Sequence, residues 1–243
     1  MSETNTPSTE AVGQDEKLIF GASDRVELIS TIVMSLAAIF TAWAAFQSAK
    51  WSGEQATNFS KAGATRTEST RFDTRAGQLT AIDVNVFTAF ADAVNSDAGD
   101  GLIEIGPGTP FEVVEGTLSG FWYERVRTEF RPAFEAWVDA FFEDRDNAPP
   151  SPFAMDEYVV ADAIEADRLQ NVADDLAAAA GQANQNSDDY VLTVVAFALV
   201  LFFSGVSSKL ASRGNRYLSV VVAFVIFVGA TWTLFSLPRI LPF

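Results

Sequence analysis

The sequence contains no cysteine and no histidine. Without cysteine, the chain can form no disulfide, no thiolate zinc site and no thiol nucleophile. Without histidine, it lacks the commonest general base and the commonest metal ligand of proteins. The sequence also has no phosphate-binding glycine loop and no glycine-rich nucleotide turn. These absences argue against an enzyme, and we predict no catalytic residue, no cofactor and no metal site.

Lysine is also scarce, with 4 residues against 12 arginines. Acidic residues outnumber basic ones by 32 to 16, and the formal net charge is −16. Residues 50–189 alone contain 26 acidic and 10 basic side chains. Because such a surface repels nucleic acid, we expect no nucleic-acid partner. An acidic, lysine-poor composition is typical of halophilic proteins, in which salt screens the self-repulsion. An ordinary acidic exterior domain is the alternative.

Charge is absent altogether from three long stretches, 28–49, 190–208 and 217–238. An α-helix of about 20 apolar residues, rising about 1.5 Å per residue, crosses a hydrocarbon core of about 30 Å. The sequence therefore predicts an integral membrane protein with transmembrane helices at 26–50, 190–208 and 217–238. The linker between the last two helices is short, so these helices form a hairpin.

The rest of the chain divides by composition. We predict a disordered N-terminal tail at 1–25, an acidic helical extramembrane domain at 51–189, a basic turn at 209–216 and a C-terminal tail at 239–243. Apolar residues recur every three or four positions in the domain, which predicts long helices continuous with the spans. The fold class is thus all-α, with three transmembrane helices.

The apolar stripes predict three helices in the extramembrane domain. The first continues the first span to about Asn95, the second covers 118–145, and the third runs from about Asp156 into the second span. Pro132 should kink or split the second helix, because proline removes a backbone hydrogen bond. The stripes are Phe72, Ala76, Leu79, Ile82, Val86, Phe90 and Val94; Tyr123, Val126, Phe130, Phe134, Trp137 and Phe141; and Ile164, Leu169, Val172, Leu176, Ala179 and Ala183.

Small residues repeat at spacings of three and four along the first span. They are Ser35, Ala38, Ala42, Ala45 and Ala49. This spacing places them on one face of a helix, where small side chains let a second helix approach closely. Ordinary helix packing is the favoured interpretation, and a pore-lining face is the alternative.

Basic and aromatic residues mark the ends of the spans, where such side chains reach the membrane interface. The candidates are Lys50, Trp51, Tyr190, Lys209, Arg213, Arg216, Tyr217 and Arg239. The hairpin turn has three basic residues and no acidic one, so the positive-inside rule places it in the cytoplasm. Three crossings of the cell membrane then place the N-terminus in the cytoplasm and the middle domain outside.

An acidic, glycine-rich loop is predicted at 95–110. Its oxygen-bearing side chains are Asn95, Asp97, Asp100 and Glu104. Their spacing does not match a calcium-binding EF-hand loop, so we interpret the segment as a solvated loop.

Several strings of the chain resemble a group of prokaryotic membrane proteins to which no activity is assigned. The strings are AFQSAKWSGEQA (45–56), FRPAFEAW (130–137), SPFAMDEY (151–158), EADRL (165–169) and NQNSDDYVLTVVAFALVLFFSG (184–205). The resemblance implies one N-terminal span, a helical middle region and a C-terminal two-span hairpin. It implies no catalytic residues, and the loop at 95–110 departs from the group.

The sequence therefore predicts a non-enzymatic membrane component that assembles with itself. Membrane lipid and a second copy of the chain are the expected partners, and an unidentified protein partner remains open. The alternative function is an oligomeric ion channel, with the first span lining the path and the acidic domain enriching cations at its mouth.

Overall fold

The computed structural model describes residues 9–106 and 108–241, with side chains from Glu27 onward. Its helices are α1 (Thr9–Gly99), α2 (Leu118–Glu124), α3 (Arg131–Glu143), α4 (Ala161–Ser207) and α5 (Arg213–Ser236), with a short 3-10 turn at Pro152–Ala154. These residues contain no β-strand, and α1, α4 and α5 are each long and apolar enough to cross a membrane. The predicted all-α fold with three spanning helices is confirmed.

The chain forms two compact units. One, the spanning unit, comprises the chain up to Ser60 and from Leu176 onward. The other, the middle unit, comprises Lys61–Asp175. The middle unit is thus shorter than the extramembrane domain predicted at 51–189.

The segment predicted as a disordered tail, 1–25, includes residues 1–8, which lie outside the described residues. From Thr9 onward the structure has helix, as the first part of α1. Elongating an existing helix adds one hydrogen bond per residue without a new nucleation step, so a polar segment can continue a helix that the span has already formed.

Helix boundaries differ from the predictions at three further places. The acidic loop begins at Asp100 rather than at Asn95, because α1 continues to Gly99. The third predicted helix begins at Ala161 rather than near Asp156, and it then continues without a break into the second span, as predicted. The hairpin turn is limited to 208–212, because Arg213 already begins α5.

The middle unit has an aromatic core around α2 and α3. Val126, Phe130, Phe134 and Trp137 are buried there, as the second stripe predicts. Phe90 of α1 contacts Phe134 edge-to-face, with 4.9 Å between the ring centroids. The predicted split is also confirmed, because the second helix is divided into α2 and α3, and Pro132 lies in the first turn of α3. A proline is tolerated there, since the first helical N–H groups have no intrahelical partner.

The predicted stripes on α1 and α4 need correction. Ile82, Ile164 and Val172 are exposed, although their spacing predicts burial. Ala76, Phe90 and Val94 on α1 and Ala183 on α4 are buried, as predicted. The buried positions also include a series at intervals of seven, namely Ala62, Ser69, Ala76, Asp83, Phe90 and Asp97 on α1 and Ala166 and Ala173 on α4. An interval of seven is the repeat of helices that wind around each other.

Small side chains let α1 and α4 approach closely within the middle unit. The hydroxyl of Ser69 donates to the backbone carbonyl of Ala166 at 2.8 Å, so a side chain of one helix reaches the main chain of the other. Arg66 pairs with Asp174, and Arg75 pairs with Asp162. The partners decrease along α4 as they increase along α1, so the two helices are antiparallel.

A buried ion pair connects α1 to the α2–α3 connection. The carboxylate of Asp83 is 1% exposed and accepts two hydrogen bonds from Arg127, from Nη2 at 2.8 Å and from Nε at 3.2 Å. The hydroxyl of Tyr158 donates to the same carboxylate at 3.4 Å. The hydrogen bond from Arg127 to Asp83 is the main reason that the pKa of Arg127 is raised. The pair therefore links α1 to the segment between α2 and α3.

Asp97 is a second buried carboxylate, and it stabilises the start of α2. Its Oδ2 accepts the backbone N–H of Ser119 at 2.7 Å. Burial raises the pKa of this carboxyl, but the hydrogen bonds from Ser119 outweigh burial and hold it below its ordinary value. Asp97 is therefore a structural residue, whereas the sequence places it in a solvated loop.

Replacing Arg127 by methionine should leave the Asp83 carboxylate buried and unpaired. We expect a loss of about 3 kcal/mol in the free energy of unfolding, near the lower end for a broken buried pair because Arg127 is partly exposed. The double variant Asp83→Leu/Arg127→Met should recover most of this loss, because it removes both charges. Hydrogen exchange of the middle-unit amides, measured on the full chain, reports the change.

The matched control is Arg168→Met, which breaks the exposed pair with Glu165 and should change exchange little. A double variant as unstable as Arg127→Met would contradict the explanation.

Candidate functional site

Within the spanning unit, α1, α4 and α5 pack around an apolar core. The buried residues are Val33, Ala37, Ala44, Tyr190, Phe197, Val200, Ala223, Ala230 and Leu234. Phe40 of α1 lies between the other two helices, stacked on Phe227 at 5.9 Å and tilted against Phe197 at 5.6 Å. Each helix thus contributes one face to the bundle core.

Polar side chains close one end of this bundle. Gln47, which is fully buried, donates from Nε2 to the carbonyl of Ile240 and accepts the N–H of Ile240 through Oε1. The carbonyl of Pro238 accepts from the indole N–H of Trp51 at 3.1 Å and from the hydroxyl of Tyr190 at 3.0 Å. These bonds hold the segment after α5 against α1 and α4.

A serine cluster lies at the same end. The hydroxyl of Ser187 is 3.0 Å from that of Ser48 and 2.9 Å from that of Ser52, and it donates to the carbonyl of Ser48 at 3.1 Å. Such contacts between side chain and main chain require the two helices to be close, and small residues allow this.

A second polar group lies at the opposite end of the bundle, next to the hairpin turn. The hydroxyl of Ser30 donates to the carbonyl of Ser204 at 3.2 Å. The guanidinium of Arg216 lies 3.7 Å from the carboxylate of Glu27. The N-terminal end of the first span and the hairpin turn are therefore at the same end of the unit.

The two polar ends are separated by a distance that suits a membrane. From Ser30 to Gln47 the helix rises about 26 Å, at about 1.5 Å per residue, close to a hydrocarbon thickness of about 30 Å. On α1, the hydroxyls between these ends bond within their own helix. Thr41 donates to the carbonyl of Ala37 at 2.7 Å, and Ser35 donates to that of Thr31 at 2.9 Å. Their polar groups can therefore remain in an apolar medium.

The predicted small-residue face does not take part in the bundle. Ser35, Ala38, Ala42, Ala45 and Ala49 are all exposed. The bundle is packed through a different set of residues on α1, which includes Ser30, Val33, Ala37, Ala44 and Gln47. At 3.6 residues per turn, the two sets lie on nearly opposite sides of α1. Packing against α4 or α5 would be the simplest use of the small residues, but the structure packs α1 through its other side.

The outward surfaces of the three helices differ in side-chain size. In the spanning part of α4, the large exposed apolar residues are Val191, Leu192, Val195, Leu199 and Phe202. On α5, they include Leu218, Phe224, Val225, Val228, Trp232 and Phe235. On α1, by contrast, the five small residues form a strip bordered by the exposed Ile39, Trp43 and Phe46. We take this strip, the small-residue face of α1, as the candidate site.

The residues predicted at the membrane interface differ in exposure. Tyr190 is fully buried and Trp51 is half-buried, and both hydrogen-bond within the protein. Lys50, Lys209, Arg213, Tyr217 and Arg239 are exposed. Arg216 is half-buried next to Glu27.

Sequence reasoning missed the buried polar residues that hold the ends of the bundle. Gln47 and Ser187 are the clearest examples. The sequence position of Gln47 could have indicated its burial, because Gln47 falls seven residues after Phe40 and so lies on the same packed face of α1. A metal centre finds no support in the described residues, which contain no cluster of three acidic side chains able to hold an ion.

Comparison with known proteins adds no relative to this description. No family model, no curated protein and no solved structure matches the chain. The resemblance to three-span prokaryotic membrane proteins therefore stays a prediction, and the function has to be argued from the geometry.

Replacing Gln47 by leucine should release the segment after α5. The N–H of Ile240 loses its acceptor, so its hydrogen exchange should become about tenfold faster, as expected for one lost hydrogen bond of about 1.4 kcal/mol. The control is Thr41→Val, which removes a hydroxyl bonded within its own helix. Unchanged exchange of Ile240 in the Gln47 variant would contradict this role.

Proposed function

We propose that the protein is a non-enzymatic membrane component that assembles with further copies of itself through the small-residue face of α1. The observation that carries the proposal is the exposure of all five small residues in a bundle whose other outward surfaces are built from large apolar side chains.

The physical reason concerns helix association in lipid. Lipid tails are as apolar as leucine, so no hydrophobic effect drives one spanning helix onto another. Close van der Waals contact and lipid entropy drive association instead, and small side chains permit that contact. Ile39, Trp43 and Phe46 lie along one side of this strip, and its small side chains let a neighbouring helix approach closely.

A packing role fits this face better than the ion-channel alternative. A conducting path requires polar groups that face a lumen and replace the water of the ion. The hydroxyl of Ser35 instead donates to its own helix, and the other four residues of the face are alanines. Small residues that allow close helix contact favour a packed helix interface over an open conducting path. We therefore favour a structural assembly.

The same proposal includes an orientation in the cell membrane. Lys209, Arg213 and Arg216 lie at the hairpin end of the bundle, and Glu27 at that end lies 3.7 Å from Arg216. The positive-inside rule favours the cytoplasm for this end. The N-terminus is then cytoplasmic, and the acidic middle unit is extracytoplasmic.

Assembly is tested with Ala42→Leu. The larger side chain should prevent close approach on the small-residue face, and we expect about a tenfold weaker self-association in nanodiscs, measured by native mass spectrometry across a protein dilution series. The matched control is Ala198→Leu, which adds the same volume on the outward side of α4. A wild-type protein that is monomeric throughout, or two variants with equal affinity, would refute the proposal.

Orientation is tested with single cysteines. The natural sequence contains no cysteine, so each introduced thiol is the single labelling site. Asp100→Cys and Ser212→Cys replace exposed residues of the acidic loop and of the hairpin turn. On intact cells, a membrane-impermeant thiol reagent should label position 100 and leave position 212 unlabelled until the cells are opened. The reverse pattern would show that the middle unit is cytoplasmic.

A further inference from the structure

The middle unit exposes a group of apolar side chains around the start of α2. Leu102, Val113, Val114, Leu118 and Phe121 are each between 39% and 55% exposed. Val113, Val114, Leu118 and Phe121 line one shallow depression, and Leu102 and Val114 line a second one. Val114 lines both depressions, and we call these five side chains together the loop surface.

Hydrogen bonds at the turn before α2 hold part of the loop surface in place. Thr117 caps α2, with Oγ1 accepting the N–H of Gly120 at 3.1 Å, and its hydroxyl donates to the carbonyl of Val114 at 2.7 Å. Gly120 fits only without a side chain, because a Cβ there would lie 2.7 Å from the same carbonyl. Gly116 has a φ of +86°, which favours glycine.

Two further contacts fix the loop surface to the core of the middle unit. The N–H of Ser119 donates to the buried carboxylate of Asp97. The ring of Phe111 packs edge-to-face on Phe90, with 5.3 Å between the centroids. The start of α2, which carries Leu118 and Phe121, is therefore fixed to the core, while its apolar side chains stay in solvent. Apolar side chains on a fixed helix start lose little backbone entropy on binding.

Carboxylates surround the loop surface. Glu115 and Glu124 line the first depression, and Glu104 and Glu112 line the second. The cation beside them is Arg125, whose guanidinium lies over the ring of Phe121, 3.4 Å from its centroid. The border is therefore strongly negative, on a segment of the chain that is itself acidic overall.

The negative charge around the loop surface distinguishes between the partners that could bind there. A second copy would bring four carboxylates against four, and like charges across an interface oppose association. An anionic lipid surface would be repelled for the same reason. A partner with apolar anchors flanked by lysine or arginine matches both the apolar centre and the acidic border.

We propose that the loop surface binds a basic amphipathic segment of another protein, with its apolar residues against Val114, Leu118 and Phe121 and its basic residues against the surrounding glutamates. This binding is independent of the self-assembly through α1. The middle unit would thus recognise another protein, whereas the small-residue face of α1 serves self-assembly.

The test uses the full chain in nanodiscs of zwitterionic lipid and two fluorescent amphipathic peptides, one built from leucine and lysine and one from leucine and glutamate. Fluorescence anisotropy, corrected with empty nanodiscs, should show binding of the lysine peptide and none of the glutamate peptide. The variant Leu118→Ser/Phe121→Ser should weaken binding about tenfold or more, because two apolar anchors are lost.

Two kinds of control keep the result specific. Ile82→Ser removes an exposed apolar side chain elsewhere on the middle unit and should bind the lysine peptide as the wild type does. Glu112→Gln/Glu115→Gln should weaken binding at low salt and lose this difference in molar salt, because the charge contribution is screened. Hydrogen exchange of the Ser119 amide checks that each variant keeps the folded loop.

Three outcomes would overturn the proposal. They are no binding of the lysine peptide to the wild type, equal binding to Leu118→Ser/Phe121→Ser, and loss of self-association in that variant. The last outcome would assign the loop surface to a second copy of the chain.

Discussion

In a hydrocarbon core, every backbone N–H and C=O group must find its partner within the protein, and this constraint explains most of the spanning unit. It requires helices across the membrane, and the hydroxyls of Thr41 and Ser35 on α1 likewise find acceptors in their own helix. Where the chain leaves α5, its backbone is no longer helical. There Gln47, Trp51 and Tyr190 supply the partners that Pro238 and Ile240 need.

Close approach of helices is the second recurrent feature. α1 uses small residues in both units, with Ser69 reaching the backbone of Ala166 in one and Ser48 contacting Ser187 in the other. On its opposite side, the spanning part of α1 repeats the same chemistry without an intramolecular partner. A helix with two faces suited to close contact can belong to a bundle and to a larger assembly at once, which is the basis of the proposed function.

The middle unit combines an aromatic core with buried carboxylates. Asp83 and Asp97 occupy positions where an apolar residue would be expected, and each is satisfied by a partner from the α2 region. Such pairs contribute little net stability but strongly disfavour arrangements that leave a buried charge unpaired. They orient α2 and the segment before it, and this orientation presents the loop surface to solvent.

The sequence by itself determined the three spanning helices, the continuity of α4 and the split at Pro132. These features follow from long uncharged runs and from a proline, whose effects depend on neighbouring residues in the chain and not on tertiary contacts. Tertiary structure decided which faces are used. Sequence reasoning followed large apolar residues and therefore placed Ile82 and Ile164 inside. In closely packed helices the contact is instead made by alanines and serines, whose burial depends on the partner helix. Likewise, only the fold brings Asp83 to Arg127, because the two residues are far apart in the chain. Only the fold also decides which side of α1 packs against α4 and α5 and which side, with Ala42, stays exposed.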